Sequence, residues 1–144
     1  MKLFTIGFTK KSAEQFFTRL QQARVKRILD VRLNNTSQLA GFAKAADLQY
    51  FLRAIGGIEY LHLPEFAPTQ EVLDAFKKEK GAWADYEHQF TALMHDRRLA
   101  ESAADILGDS DCLLCSEDTP EHCHRRLLAE YIRDHIDNLE VIHL

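Results

Sequence analysis

Short apolar runs along the chain alternate repeatedly with segments whose hydrophobic positions recur at a spacing of three to four. The first run, Leu3-Phe4-Thr5-Ile6-Gly7, is short and stops at a glycine, which predicts a strand. Ser12-Ala13-Glu14-Gln15 then places a serine three residues ahead of a glutamine, the pattern in which each end satisfies a backbone N–H of the other and starts a helix. Ala13, Phe16, Phe17, Leu20 and Ala23 follow at helical spacing, so one face of that helix is apolar and needs a sheet to lie on.

The same alternation continues to the end. Arg27 to Val31 predicts a second strand, Leu33 to Gly41 a polar loop, and Leu48, Phe51, Leu52 and Ile55 a helical stripe ended by Gly56-Gly57. Ile58 to His62 predicts a third strand. From Thr69 to about Leu107 the pattern is helical, in two or three pieces broken near Gly81 and Arg97. Cys112 to Cys115 predicts a fourth strand, Pro120 to His135 a long helix with Thr119 as its N-cap, and Leu139 to Ile142 a fifth strand. Strands alternating with helices imply an α/β fold: one domain over 1–144, with a mainly parallel sheet of about five strands, helices on both faces and right-handed crossovers.

Such sheets bind ligands at the carboxyl ends of their strands, and the least core-like residues fall there. Gly7 and Thr9 close the first strand, Asp30 and Arg32 the second, His62 and Glu65 the third, and Cys115, Glu117, Cys123, His124 and Arg125 follow the fourth. Arg32 and Arg125 suit an anion, because a guanidinium matches phosphate or carboxylate as a fork. Gly7 lets a ligand approach backbone, and Asp30, Thr9, His62 and Glu65 complete the candidate ligand-binding set. Cys115, Glu117, Cys123 and His124 are the candidate catalytic residues. On the predicted helix Cys123 lies in or just after the first turn beside Arg125 and Arg126, where a thiol ionises more easily; burial against the face of Leu127 and Tyr131 opposes this.

Composition narrows the class. With 144 residues, 46% hydrophobic and 28% charged, the chain matches globular averages and excludes disordered and collagen-like classes. No stretch approaches the roughly 18 apolar residues of a membrane span, and residues 1–11 lack the apolar core of a secretory signal, so a cytoplasmic location without membrane partners is expected. Three cysteines are an odd number in a chain large enough to fold by burial, which implies reduced thiols. Cys112 and Cys115 spell C-x-x-C, but an offset of three within a strand puts the sulfurs on opposite faces. Cys115, Glu117, Cys123 and His124 are acceptable zinc donors without the usual structural-zinc spacing, so no metal is expected from the pattern. No phosphate-binding glycine loop or serine-nucleophile elbow occurs, which removes support for Walker-type nucleotide hydrolysis and for a serine hydrolase and leaves any cofactor open.

The net charge of −4 divides unevenly. Residues 1–53 carry ten Lys or Arg against three acids, and the remainder carries eight against nineteen. This asymmetry suits a small anionic or nucleotide-like ligand. A noncatalytic nucleic-acid-binding or protein-interaction module is the alternative, disfavoured as to nucleic acid by the overall acidity; oligomeric state is not set by these features.

Thr5-Ile6-Gly7, Asp30-Val31-Arg32, Phe42 with Lys44, Gly57 to Pro64, and Leu114-Cys115-Ser116-Glu117 followed by Cys123-His124-Arg125 resemble the bacterial domain of unknown function 488, from Leu3 to about Tyr131. The resemblance implies a small cytoplasmic α/β protein and carries no reaction with it. Three positions depart from the family pattern: Phe8 stands where a histidine commonly follows the glycine, Asn35 where a proline is usual, and Gln38 where an arginine is usual.

Overall fold

The computed structural model describes residues 1–36 and 40–144. Five strands, β1 (Lys2–Gly7), β2 (Arg27–Asp30), β3 (Glu59–His62), β4 (Asp111–Cys115) and β5 (Glu140–His143), form one sheet. All neighbouring strands run parallel, in the order β3-β2-β4-β1-β5. The described helices are α1 (Ala13–Gln22), α2 (Ala45–Gly56), α3 (Gln70–Lys77), α4 (Trp83–Asp96), α5 (Leu99–Ile106) and α6 (His124–His135). The fold is therefore α/β with a parallel sheet, as the alternating pattern predicts. The polar loop expected from Leu33 to Gly41 is described only on either side of residues 37–39, and Gln38 lies outside the described residues.

Side-chain alternation along each strand separates two apolar cores. Phe4, Ile6, Ile28, Cys112 and Leu114 meet Phe16, Phe17 and Leu20 of α1 and Leu48 and Leu52 of α2 on one face. Leu3, Leu29, Val31 and Leu113 meet Phe90, Met94, Leu99, Leu128 and Ile132 from α4, α5 and α6 on the other. Each fully buried Leu or Phe stabilises the fold by about 1.5–3 kcal/mol relative to exposure. Cys112 and Leu113 fall on opposite cores, and Cys115, two residues past Leu113, follows Leu113 to the α6 side.

Local signals explain most boundaries. The Ser12 side chain accepts from Gln15 N–H and the Gln15 side chain accepts from Ser12 N–H, so the reciprocal cap on α1 is present. The predicted helical stretch from Thr69 breaks twice. At Gly81 the chain passes so close to the Ala75 carbonyl that a Cβ would lie 2.7 Å from its oxygen. At Arg98 the backbone turns left-handed, φ 55°.

One boundary differs. The helix expected from Pro120 begins instead at His124, with Cys123 rather than Thr119 at the N-cap. Residues 116–122 form bends and a turn, closed by Cys123 N–H donating to the Pro120 carbonyl at 3.3 Å. Tertiary contacts override the local start signal. Arg125 Nη1 donates to the Glu117 carbonyl at 2.6 Å, and Lys11 pairs with Asp118 at 2.9 Å. A Cβ on Gly7 would lie 1.6 Å from the Glu117 oxygen, so the loop packs directly on the end of β1.

This order places the site. The chain leaves β1 and β2 toward the α1–α2 face and leaves β3 and β4 toward the α3–α6 face. The crevice at the carboxyl ends thus opens where β4 is inserted between β2 and β1, the kind of reversal at which open sheets bind ligands.

Candidate functional site

Cys115 ends β4 with Gly7 of β1 as its register partner. On the other side Asp30 of β2 pairs with Leu114, and Val31 N–H donates to the Leu114 carbonyl at 3.1 Å. Val31 in turn orients His124. Its carbonyl lies 2.7 Å from His124 Nε2, and because a carbonyl only accepts, Nε2 carries the proton and donates. The ring edge left over, Nδ1, faces Cys115 Sγ at 3.5 Å. Cys123 adds a second thiol, and the three donor atoms all lie within 4.8 Å of one another. Cys115, Cys123 and His124 are 5%, 2% and 6% exposed.

Two thiols in contact ionise one before the other. A hydrogen bond from Cys123 outweighs burial and, with His124 and Arg125, holds the Cys115 thiol well below its usual range. Burial, with donation to Cys115, pushes Cys123 up. Of the two opposing influences expected on Cys123, burial prevails over the neighbouring Arg125, and its side chain acts as the donor to Cys115. Burial opposes a charged His124, but the Cys115 sulfur and the Val31 carbonyl raise the ring above its ordinary value. Cys112, enclosed in the opposite core, is pushed far up by burial.

Arg32 approaches from β2. Asp30 accepts from Arg32 Nε and Nη2, both at 2.8 Å, and from the Arg32 backbone N–H at 3.1 Å. Asp30 is fully buried and Arg32 is 2% exposed. Burial would raise the Asp30 carboxyl, but the Arg32 pair and a hydrogen bond from Tyr60 hold it below the usual carboxylate range. Tyr60 donates to Asp30 Oδ2 at 2.5 Å, and Asn35 Nδ2 donates to the Tyr60 oxygen at 3.1 Å. The guanidinium also stacks over Phe8, 5.3 Å from the ring centroid. Phe8 and Asn35 thus serve as supports for the Asp30–Arg32 pair. Arg32 Nη1 is buried and has no hydrogen-bond partner among the described residues. Arg126 Nε is similarly unpartnered, but it belongs to a guanidinium stacked over Trp83.

A cavity of about 300 Å³ brings Arg32, Cys115, Glu117, Cys123 and His124 together. Lys77, from the end of α3, reaches Glu117 across it, and Tyr86 of α4 walls one side. The Glu117 partnership raises Lys77 against the opposing effect of burial. A larger recess, about 1020 Å³, lies at the amino ends of the strands, where Arg27 is already paired with Asp111 and the Ile106 carbonyl.

The other expected site residues do not line this cavity. Gly7 provides the close approach to Glu117, and Thr9 donates to the Ser116 carbonyl at 2.6 Å, tying β1 to the loop after β4. His62 Nε2 donates to the Arg32 carbonyl at 2.8 Å. Glu65 is exposed, and its backbone carbonyl accepts from Arg97 at 2.9 Å. Arg125 is 1% exposed, and its N–H groups go to Thr5 and to the Glu117 and Asp118 carbonyls, so it shapes the loop beneath the cavity.

Sequence reasoning missed Tyr60, Lys77 and Tyr86. Tyr60 carried a usable signal: in a parallel register that sets His62 beside Asp30, the residue two before His62 shares its face and stands diagonally across from the carboxylate. Lys77 and Tyr86 lie on helices distant in sequence, where nothing local marks them.

The family model for the domain of unknown function DUF488 matches residues 12–132. The chain belongs to that family. Comparison with curated proteins and with solved structures returns no match. Among the described residues no helix is long and apolar enough to cross a membrane.

Proposed function

We propose that this DUF488 member binds a small anionic ligand, simple or nucleotide-like, in the cavity at the carboxyl ends of β2 and β4, with Cys115, Cys123 and His124 as the groups that act on it. The observation that carries this reading is the Nη1 of Arg32: a buried guanidinium N–H with no partner among the described residues, on a residue that lines the cavity. A buried donor left unsatisfied costs about 1–3 kcal/mol, more on a charged group, and an oxyanion removes that cost with a charge-assisted bond. Asp30 and Phe8 hold the guanidinium in place, so little ordering remains for a ligand to impose. Arg125 adds a second buried positive charge with no carboxylate among its hydrogen-bond partners.

A nucleic-acid surface draws less support. Of the ten basic residues in 1–53, Lys11, Arg27 and Arg32 are turned inward onto Asp118, Asp111 and Asp30.

Thermal unfolding of the reduced protein in inorganic phosphate, carboxylates and nucleotides tests the reading. A ligand present at a hundred times its Kd stabilises the folded state by about 2.7 kcal/mol. At least one anion is expected to raise the Tm of the native sequence and to lose that effect in Arg32→Lys, which keeps a charge but not the planar fork. Equal shifts in both proteins, or none in either, overturn it.

A further inference from the structure

We propose that Cys115, Cys123 and His124 form a three-ligand site for a soft or borderline divalent cation, zinc above all, with its fourth position open to the anion cavity. The spacing of these residues in sequence predicts no such site, because structural zinc motifs pair closely spaced ligands on one turn. Here the end of a parallel strand and the first residues of a helix supply the donors. Two sulfurs and an imidazole are the donor set that suits Zn²⁺ and excludes Mg²⁺ or Ca²⁺, which take oxygen.

Three features of the geometry fit. A tetrahedral Zn²⁺, with Zn–S of about 2.3 Å and Zn–N of about 2.0–2.1 Å, holds a sulfur and a nitrogen about 3.5 Å apart and two sulfurs about 3.8 Å apart. Cys115 Sγ and His124 Nδ1 are 3.5 Å apart, and all three donor atoms fall within 4.8 Å. Next, His124 Nε2–H donates to the Val31 carbonyl, which leaves Nδ1 as the ring atom turned toward the sulfurs; metal-ligating histidines are oriented in this way by an outer carbonyl or carboxylate. Finally, the three residues are over nine-tenths buried yet all line the cavity, so an ion would be shielded from bulk water and still reachable from one side. Three protein ligands with one open position is the plan of catalytic zinc sites, whereas structural sites are closed by a fourth. Glu117, two residues past Cys115 in the same cavity, is held by Lys77.

Cobalt tests the site without knowledge of any activity. The full-length chain, reduced and stripped with chelator, is titrated with Co²⁺ and then with Zn²⁺. The expected result is one equivalent of Co²⁺ bound with the strong visible bands of a tetrahedral ion and a thiolate-to-cobalt charge-transfer band, both bleached by one equivalent of Zn²⁺. Loss of an outer-shell partner alone costs about 10–100-fold in metal affinity, so Cys123→Ser is expected to weaken Co²⁺ by at least that range. Cys123 occupies the α6 N-cap with no side-chain cap, and serine is favoured there, so the variant keeps its helix start. Cys112→Ser serves as a control and is expected to keep the spectrum. Arg32→Lys is also expected to keep it, so a failure of anion binding and a failure of metal binding are read separately. Absence of tetrahedral thiolate bands in the native sequence, or native-like affinity in Cys123→Ser, overturns the proposal.

Discussion

Arg32 grips Asp30 with two parallel N–H donors at 2.8 Å and keeps a third nitrogen, Nη1, buried and unpartnered among the described residues. The carboxylate fixes the guanidinium plane, and in the proposed function the remaining Nη1 receives the anion. Removing one member of a buried ion pair leaves the other uncompensated and typically costs about 3–5 kcal/mol. Asp30→Asn is expected to lose stability in that range, read as a fall in the urea midpoint, and to abolish anion stabilisation with it. The same pair sets an acid limit. The Asp30 carboxyl is lower in the folded state than in the unfolded chain, where it is about 3.9. Below that value the unfolded state binds the extra proton, so this part of the stability is full above about pH 4–5 and is lost as pH falls through the folded pKa. Urea midpoints measured from pH 6 to pH 3 are expected to decline less steeply in Asp30→Asn than in the native sequence.

Gly7 is a steric requirement of the site as well as the end of a strand. A Cβ there would lie 1.6 Å from the Glu117 oxygen and 3.0 Å from Arg125 Nη1, so Gly7→Ala must push the loop after β4 away from the sheet. Overpacking of this kind costs about 1–3 kcal/mol or more. The variant is expected to melt earlier and to bind Co²⁺ more weakly, since the displaced loop joins Cys115 to Cys123. Native-like melting and metal affinity together would show that the loop relaxes freely.

The three thiols differ in access. Cys115 and Cys123 line the cavity, whereas Cys112 is fully buried in the opposite core. Limited alkylation of the reduced, metal-free protein followed by peptide mapping is expected to label the first two well before Cys112, and added Zn²⁺ is expected to suppress that labelling. Equal labelling of all three contradicts the placement of Cys112.

How legible these features were depends on how local their causes are. The short β1 run that stops at Gly7 and the Ser12–Gln15 cap require only neighbours in sequence, and both hold. Thr119 and Pro120 send an equally clear local signal that fails, because Arg125 and Lys11 capture the loop and Gly7 admits it. The strand ends at Asp30–Arg32 and Cys115 were visible as anomalies in apolar runs. Their assembly was not: His124 meets Cys115 because a carbonyl 93 residues earlier turns its ring. Arg125 shows the converse, a residue that reads as an anion binder and whose N–H groups go to Thr5 and to the Glu117 and Asp118 carbonyls.

The central claim is that Arg32 Nη1 receives an anion beside the Cys115–Cys123–His124 cluster. A crystal of the protein soaked in tungstate, an oxyanion with a strong anomalous signal, tests it directly. The account predicts an anomalous peak within the cavity, with an oxygen in hydrogen-bond range of Arg32 Nη1 and the Asp30 fork intact. Tungstate confined to surface lysines, with Nη1 bonded to a protein group instead, would contradict it.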